Sequence, residues 1–200
     1  IGELVKELKG SKSVKFVSLE RCGLGPSFAG VLCDVLKANT SIKTLNLWGN
    51  NGIGDQGARM IAEGLKVNQS VEFLSLESNN LGPDGVRVIG GMLSVNKVLK
   101  WLSLVFNSIG PEGARAVAEA LKVNKSVEVL SLSHNGIGSA GARSIGEALK
   151  VNYRLKKLYL QNNNFGAEGA RALLEAMQVN GSLIFCGVDV SRNEVSVLCN

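Results

Sequence analysis

The sequence predicts an α/β solenoid, with parallel strands lining a concave face and helices covering the convex one. Three observations predict it. Asn recurs at positions 50, 79, 107, 135 and 163, a spacing of 28 residues with a single 29. Each is preceded by Leu-x-Leu and followed by Ile, Leu or Phe and then Gly. After each comes a stretch of helical periodicity. Self-similarity at one fixed period is the signature of a repeat architecture, in which each unit buries its apolar face only against its neighbours.

The elements follow in order within each unit. Leu45-Asn-Leu47, Leu74-Ser-Leu76, Leu102-Ser-Leu104, Leu130-Ser-Leu132 and Leu158-Tyr-Leu160 alternate with period two and read as short strands, as does Val17-Ser-Leu19. The extra residue of the 29-residue unit lies in the Asn50-Asn51-Gly52 turn. Gly and Pro then punctuate the chain, as in Gly82-Pro83 and Gly110-Pro111. In the next stretch Ala114, Val117, Ala118 and Leu121 fall on one helical face. Asn39, Asn68, Asn96, Asn124, Asn152 and Asn180 stand just after each helix, where a left-handed conformation of Asn would stop it. A seventh strand unit, Cys186 to Ser191, is degenerate.

A strand-helix unit of this length built on L-x-L-x-x-N is identified as a leucine-rich repeat. The chain therefore reads as one leucine-rich-repeat solenoid, a horseshoe of 28-residue repeats over residues 1–200 with six clear strand units. The recurring helix and the G-x-x-G-A-R segment resemble the ribonuclease-inhibitor subtype, and most of all the repeats of NOD-like receptors. That resemblance implies ligand sensing or autoinhibitory contacts inside a larger protein. A likeness to ribonuclease inhibitor itself implies nuclease inhibition, but the chain has only four Cys and near-uniform spacing. The GTPase-activating protein of Ran uses a similar solenoid, which implies stimulation of a GTPase in trans as the alternative function. Arg21 is the one Arg at a predicted concave position.

The ends and the composition add further expectations. Leu4 and Leu8 match the inward positions of later helices and no polar cap precedes them, so a fragment or missing upstream residues is expected. Glu194 to Asn200 breaks the pattern and reads as a partial cap or a truncated repeat. Cys22, Cys33, Cys186 and Cys199 do not form the Cys-dense caps of extracellular relatives. They read as core thiols of a reduced, cytoplasmic protein. No run of about 18 apolar residues is present, which argues against a membrane span.

The net charge of +5 raises nucleic acid as a partner. Arg59, Arg87, Arg115, Arg143 and Arg171 form a column on the helices. Glu63, Glu119, Glu147 and Glu175 lie four residues after four of them, and Lys66, Lys122 and Lys150 three residues after three of the Glu. This reads as a self-paired, solvated convex face. Aromatic rings for base stacking do not interleave with it, so nucleic acid is disfavoured.

The concave face carries the functional signal. With the two Leu of each strand pointing inward, the flanking residues point out. Seven of the ten aromatics fall on these outward positions: Phe16, Trp48, Phe73, Trp101, Phe106, Tyr159 and Phe185. Trp48, Phe73, Trp101 and Phe106 lie on three consecutive strands and are expected to form one patch beside Val105. Exposed apolar patches mark interaction sites, and Trp and Tyr are favoured anchors. A protein partner on this face is expected, contacting Trp48, Phe73, Glu77, Trp101, Phe106, His134 and Tyr159. A bland reading stands beside it, in which the rings stack along a ladder and only stabilise strand pairs. Phe16 and Phe185, near the ends, have the further reading of packing against caps.

Other motifs resolve into repeat structure. Gly52-x-Gly54-x-x-Gly57 and Gly136-x-Gly138-x-x-Gly141 match the dinucleotide fingerprint. Their second and third Gly recur in most repeats, so turn geometry and close packing explain them. Asn39, Asn68, Asn124 and Asn180 match the N-glycosylation sequon but occupy one repeated loop. His134 is the only His and lacks companions at ligand spacing. No catalytic set, cofactor or metal is expected, so the chain reads as no enzyme. Nothing in the sequence bears on the oligomeric state.

Overall fold

The computed structural model describes residues 2–188 and 195–198. Helices and strands alternate: α1 Gly2–Gly10, β1 Phe16–Ser18, α2 Pro26–Ala38, β2 Thr44–Asn46, α3 Gly54–Val67, β3 Phe73–Ser75, α4 Pro83–Leu93, β4 Trp101–Ser103. Then follow α5 Gly110–Val123, β5 Val129–Ser131, α6 Gly138–Leu149, β6 Lys157–Tyr159, α7 Gly166–Val179, β7 Phe185–Val188 and β8 Val195–Leu198. The strands form one sheet in sequence order. Six successive parallel pairings join β1 through β7. β8 then lies antiparallel on β7. The break in pattern expected near the C-terminus is this reversal; Asp189 to Glu194, Cys199 and Asn200 lie outside the described residues, as does Ile1.

Register keeps the repeat in phase. Thr44 pairs with Phe73 across the 29-residue unit, and Phe73 with Trp101 across the next, so the extra residue is absorbed in the turn. The inward Leu of each strand, together with Ala114, Val117, Ala118 and Leu121 and their equivalents, form one continuous core between sheet and helices. Leu8 joins it, whereas Leu4 is half exposed, contrary to its expected inward position. Cys33 and Cys186 are buried, but Cys22 is exposed and does not belong to the core.

The third glycine of each G-x-G-x-x-G match lies in a helix, facing the neighbouring one. A Cβ at Gly57 would come within 3.3 Å of Ala29 Cβ on the neighbouring helix, and one at Gly141 within 2.9 Å of Ala114 Cβ. Helix packing, not phosphate approach, demands these glycines.

Two columns of buried Asn close the corners of the solenoid. The first follows the strands. Asn107 Nδ2 donates to Leu76 O at 3.0 Å in the preceding repeat and to Leu104 O at 2.9 Å in its own, while its Oδ1 accepts from Asn79 N and Leu81 N. The second follows the helices, and here the sequence expectation needs correcting. Asn39, Asn68, Asn124 and Asn180 are not left-handed but extended, with φ between −68° and −87°. Asn124 Nδ2 donates to Leu93 O at 2.7 Å and Asn96 O at 3.2 Å, and its Oδ1 accepts from Ser126 N and Val127 N. Asn39, Asn68, Asn96, Asn152 and Asn180 repeat the pattern. The side chain stops the helix by tying the loop to the repeat before, which an αL backbone would not do. The sequon Asn are therefore buried with their amides engaged.

The first ladder has two gaps. Asn79 Oδ1 and Asn135 Oδ1 are buried without a partner. Where the residue after the preceding ladder position is left-handed, as at Gly23, Asn80, Gly136 and Asn164, the chain turns differently. After the first three, the next apolar N–H (Leu24, Leu81, Ile137) reaches the following Asn Oδ1. Asn51 and Ser108 are not left-handed, and the Asn in the repeats after them, Asn79 and Asn135, are the orphaned ones. Ser resists αL more than Asn or Gly does. Asn51 shows that Asn does not by itself secure the left-handed turn. Ser108→Gly, matching Gly23 and Gly136, is therefore the change expected to let Ile109 N–H reach Asn135 and to stabilise the fold by about 1 kcal/mol, read as a raised urea midpoint.

Ion pairs on the helices differ in part from the sequence expectation. Lys66, Lys122 and Lys150 pair with Glu63, Glu119 and Glu147 as spaced. The Arg instead reach back three residues, Arg87 to Asp84 and Arg115 to Glu112, or across to the next repeat, Arg143 to Glu168. Beside the strands, Glu72 sits between Lys43 at 2.9 Å and Lys100 at 2.6 Å. Hydrogen bonds from Lys100 and then Lys43 hold its carboxyl below the usual range. A depressed carboxylate pKa adds stability above the unfolded value, and that stability fades as pH falls through the folded one. Glu72→Gln is therefore expected to cost about 0.5–1 kcal/mol at neutral pH, with the gap to wild type closing below about pH 4 in urea melts.

Candidate functional site

The strand register sets the concave columns. The residue before the first Leu gives Phe16, Thr44, Phe73, Trp101, Val129, Lys157 and Phe185, and the residue between the Leu gives Ser18, Asn46, Ser75, Ser103, Ser131, Tyr159 and Gly187. Neighbouring parallel strands stand about 4.8 Å apart, so side chains of one column meet.

Three aromatic clusters result. The first is a groove of about 270 Å³ across β1 to β4, lined by Phe16, Thr44, Asn46, Trp48, Phe73, Ser75, Glu77 and Trp101, with Leu45 at its floor. Phe16 is 62% and Phe73 43% exposed, whereas Trp48 and Trp101 are half buried. Arg21 lies over the Trp48 ring, its guanidinium carbon 4.3 Å from the ring centroid. Its neighbour in the next repeat is Gly49, whose missing Cβ would stand 2.7 Å from Arg21 Cγ. Gly49 thus makes room for the arginine stem. Asn46 turns back to accept the Trp48 N–H at 3.1 Å, holding the backbone that presents the indole.

The second cluster is Phe106 on His134, their centroids 4.1 Å apart and the planes inclined by 22°. Asn162 Nδ2 stands 3.0 Å from His134 Nε2. With the amide donating, the neutral imidazole carries its proton on Nδ1. Ser133 Oγ donates to Gln161 Oε1 at 2.7 Å beside them. The third cluster is Tyr159 against Phe185, with centroids 5.0 Å apart.

The sequence placed these residues on the right face but grouped them differently. Trp48, Phe73, Trp101 and Glu77 do come together. Phe106 and Val105 are not among the groove residues, because Phe106 lies farther along its strand unit and leans on the next repeat's His134. Phe16, set apart in the sequence as an end residue, lines the groove. Arg21 on Trp48 was also not anticipated; an Arg directly opposite a Gly in the next repeat was the available signal.

One backbone feature separates Phe106 from the other aromatics. Its column, Arg21, Gly49, Ser78, Phe106, His134 and Asn162, is left-handed throughout, with φ between 51° and 75°. The turn enforces this, since the N–H of Arg21, Gly49, Ser78, Phe106 and His134 each bonds a carbonyl of the next repeat, as in Phe106 N to Ser133 O at 3.1 Å. Gly and Asn meet that demand at little cost, whereas a bulky ring in αL is strained by about 1–2 kcal/mol.

The described residues contain no group of three or more His, Cys, Asp or Glu placed to hold a metal ion. None of their helices is long and apolar enough to cross a membrane.

Comparison with known proteins agrees with this architecture. The Leucine Rich repeat family matches residues 38–62, 67–90, 95–118, 123–146 and 154–174, together more than half of the chain. Leucine-rich repeat-containing protein 45 of Gallus gallus is 36% identical over 81 residues. That stretch is 40% of this chain and only 12% of the relative. Among solved structures, one described as Leiomodin-1 Actin-Binding Site 2 superposes with a TM-score of 0.58 at 18% identity, over 89% of this chain and 87% of that one. The tropomodulin C-terminal domain of Caenorhabditis elegans gives 0.59 at 13% identity, over 90% and 92%.

Phe106→Asn is expected to leave stability within about 1 kcal/mol of wild type, because relief of the left-handed strain offsets the lost ring stacking. Chemical denaturation checks this, and a loss of several kcal/mol would show that the ring is part of the packing. Taken together, the register of the strands, the Asn columns and the matched segments show that the chain belongs to the leucine-rich repeat family.

Proposed function

We propose that the chain is a non-catalytic interaction module that binds a protein partner through its concave face, with the groove of Phe16, Trp48, Phe73 and Trp101 as the anchor. The observation that carries this reading is the gathering of four rings on a polar-rimmed, open surface, two of them well exposed. Aromatic anchors of this kind concentrate binding energy, and an exposed apolar patch of this sort is seldom idle. A solenoid whose corners are tied by buried side-chain amides presents the surface preformed, which keeps the ordering cost of association low. Phe106, His134 and Tyr159 extend the same face toward β6 and β7. The resemblance to NOD-like receptor repeats fits a sensing or autoinhibitory role within a larger protein. The likeness to a structure described as an actin-binding site makes actin one partner to test directly.

The test is capture from a cell lysate by the chain and by Trp48→Ala/Trp101→Ala, with co-sedimentation on actin filaments alongside. Circular dichroism first establishes that both forms fold. Partners held by the wild type are expected to drop at least tenfold with the double variant, the loss of about 1.4 kcal/mol or more that a buried aromatic anchor carries. Equal capture by both forms would move the binding surface off the concave groove.

A further inference from the structure

We infer that the concave groove accepts a cationic side chain, arginine or lysine, presented by a basic segment of the partner protein. This rests on the concave-face reading above and specifies its chemistry.

Two independent observations carry it. The first is the state of the carboxylates. From Asp55 to Glu168 every one except Glu77 has a partner. Asp55 accepts from Gly82 N, and Glu63, Glu72, Asp84, Glu112, Glu119, Glu128, Glu147 and Glu168 are all ion-paired. Glu77 makes only backbone bonds, through its carbonyl to Gly49 N and Asn79 Nδ2, and its carboxylate lines the aromatic groove. Glu3, Glu7 and Glu175 are also without an ion pair among the described residues, but none of them lines the groove. In a chain of net charge +5, an unpaired carboxylate among the groove's rings is a complementary charge for a visiting cation.

The second observation is that one ring of the groove already holds a cation from the chain itself. Arg21, from a column whose turn holds every residue left-handed, lays its guanidinium over the groove residue Trp48, with the guanidinium carbon 4.3 Å from the ring centroid. Trp faces bind cations best among the aromatics, and the attraction grows as water is excluded. Trp101 is the other indole in the groove, lies two strands away, and has no cation over it among the described residues. Rings on several sides with a carboxylate at the rim form a receptor for a guanidinium or ammonium group. The groove volume of about 270 Å³ suits one side chain. Drug-sized ligands occupy pockets of about 300–1,000 Å³.

The probe is a capped peptide of alternating glycine and arginine, compared with the same peptide carrying citrulline in place of arginine. Citrulline keeps the planar polar group and removes the charge. Binding is followed through the indole N–H resonances of Trp48 and Trp101 in the labelled full chain. The arginine peptide is expected to shift both, with the citrulline peptide about tenfold weaker. Glu77→Gln should bring the arginine peptide down to the citrulline level. Glu112→Gln, the same charge change on the convex face, should not. Equal binding of the two peptides, no shift with either, or indifference to Glu77→Gln overturns the inference. If partner capture is still lost with Trp48→Ala/Trp101→Ala, the concave reading survives such a result. If capture survives too, both fall.

Discussion

Side-chain amides bonding across repeats are the interaction on which this fold depends. Strands of three residues, as at β1 to β6, make few ladder bonds of their own. The chain must nevertheless turn twice in each repeat, and each turn buries peptide groups with no strand or helix to satisfy them. An Asn at each corner answers this. Its NH₂ reaches a carbonyl one repeat back and, except at Asn79 and Asn135, its carbonyl oxygen collects backbone N–H groups at the turn. No other uncharged side chain of that length offers donors and acceptors together. The apolar core holds the layers together, but the amides set where the chain turns and so hold the strands in phase.

Much of this was legible in the sequence, and the boundary of legibility has a physical meaning. The strand columns could be read because alternation of side chains is a local property of an extended backbone. The buried face of α5 could be read from helical periodicity. Misreadings arose where a residue's partner lies in another repeat. Asn124 and its equivalents looked like helix stops acting through their own backbone, but they act through bonds about 28 residues away. Arg143 looked paired within its helix but reaches Glu168 in the next. Phe106 looked like a neighbour of Trp101, yet its turn aims it at His134. Arg21 over Trp48 was hidden for the same reason. Sequence spacing locates such residues, while only the stacked structure shows which way each side chain turns.

The two faces of the molecule differ in how their charge is treated. On the convex side and along the strand edge, cations and anions neutralise one another in pairs such as Lys122 with Glu119 and Lys100 with Glu72. These pairs are exposed and individually weak, and their main effect is a surface without a strong field. On the concave side the ionic groups are few and are set among rings instead of counter-ions. An interaction there is less screened by the protein's own charges, so a small number of polar contacts can discriminate between partners.

The uniform register of the concave sheet has a consequence for the shape of anything that lies across it. Successive outward side chains of one column step by about 4.8 Å, the spacing of hydrogen-bonded strands. A helix laid across them advances about 5.4 Å per turn and stays nearly in step over three or four strands. An extended segment advances about 3.3 Å per residue with side chains alternating between its faces, so one face regains step only about every sixth residue, over about four strands. The face is in effect a ruled scale. Its graduations suit a partner that presents one anchoring group per turn of helix better than an extended one, whose matching face returns only about every six residues.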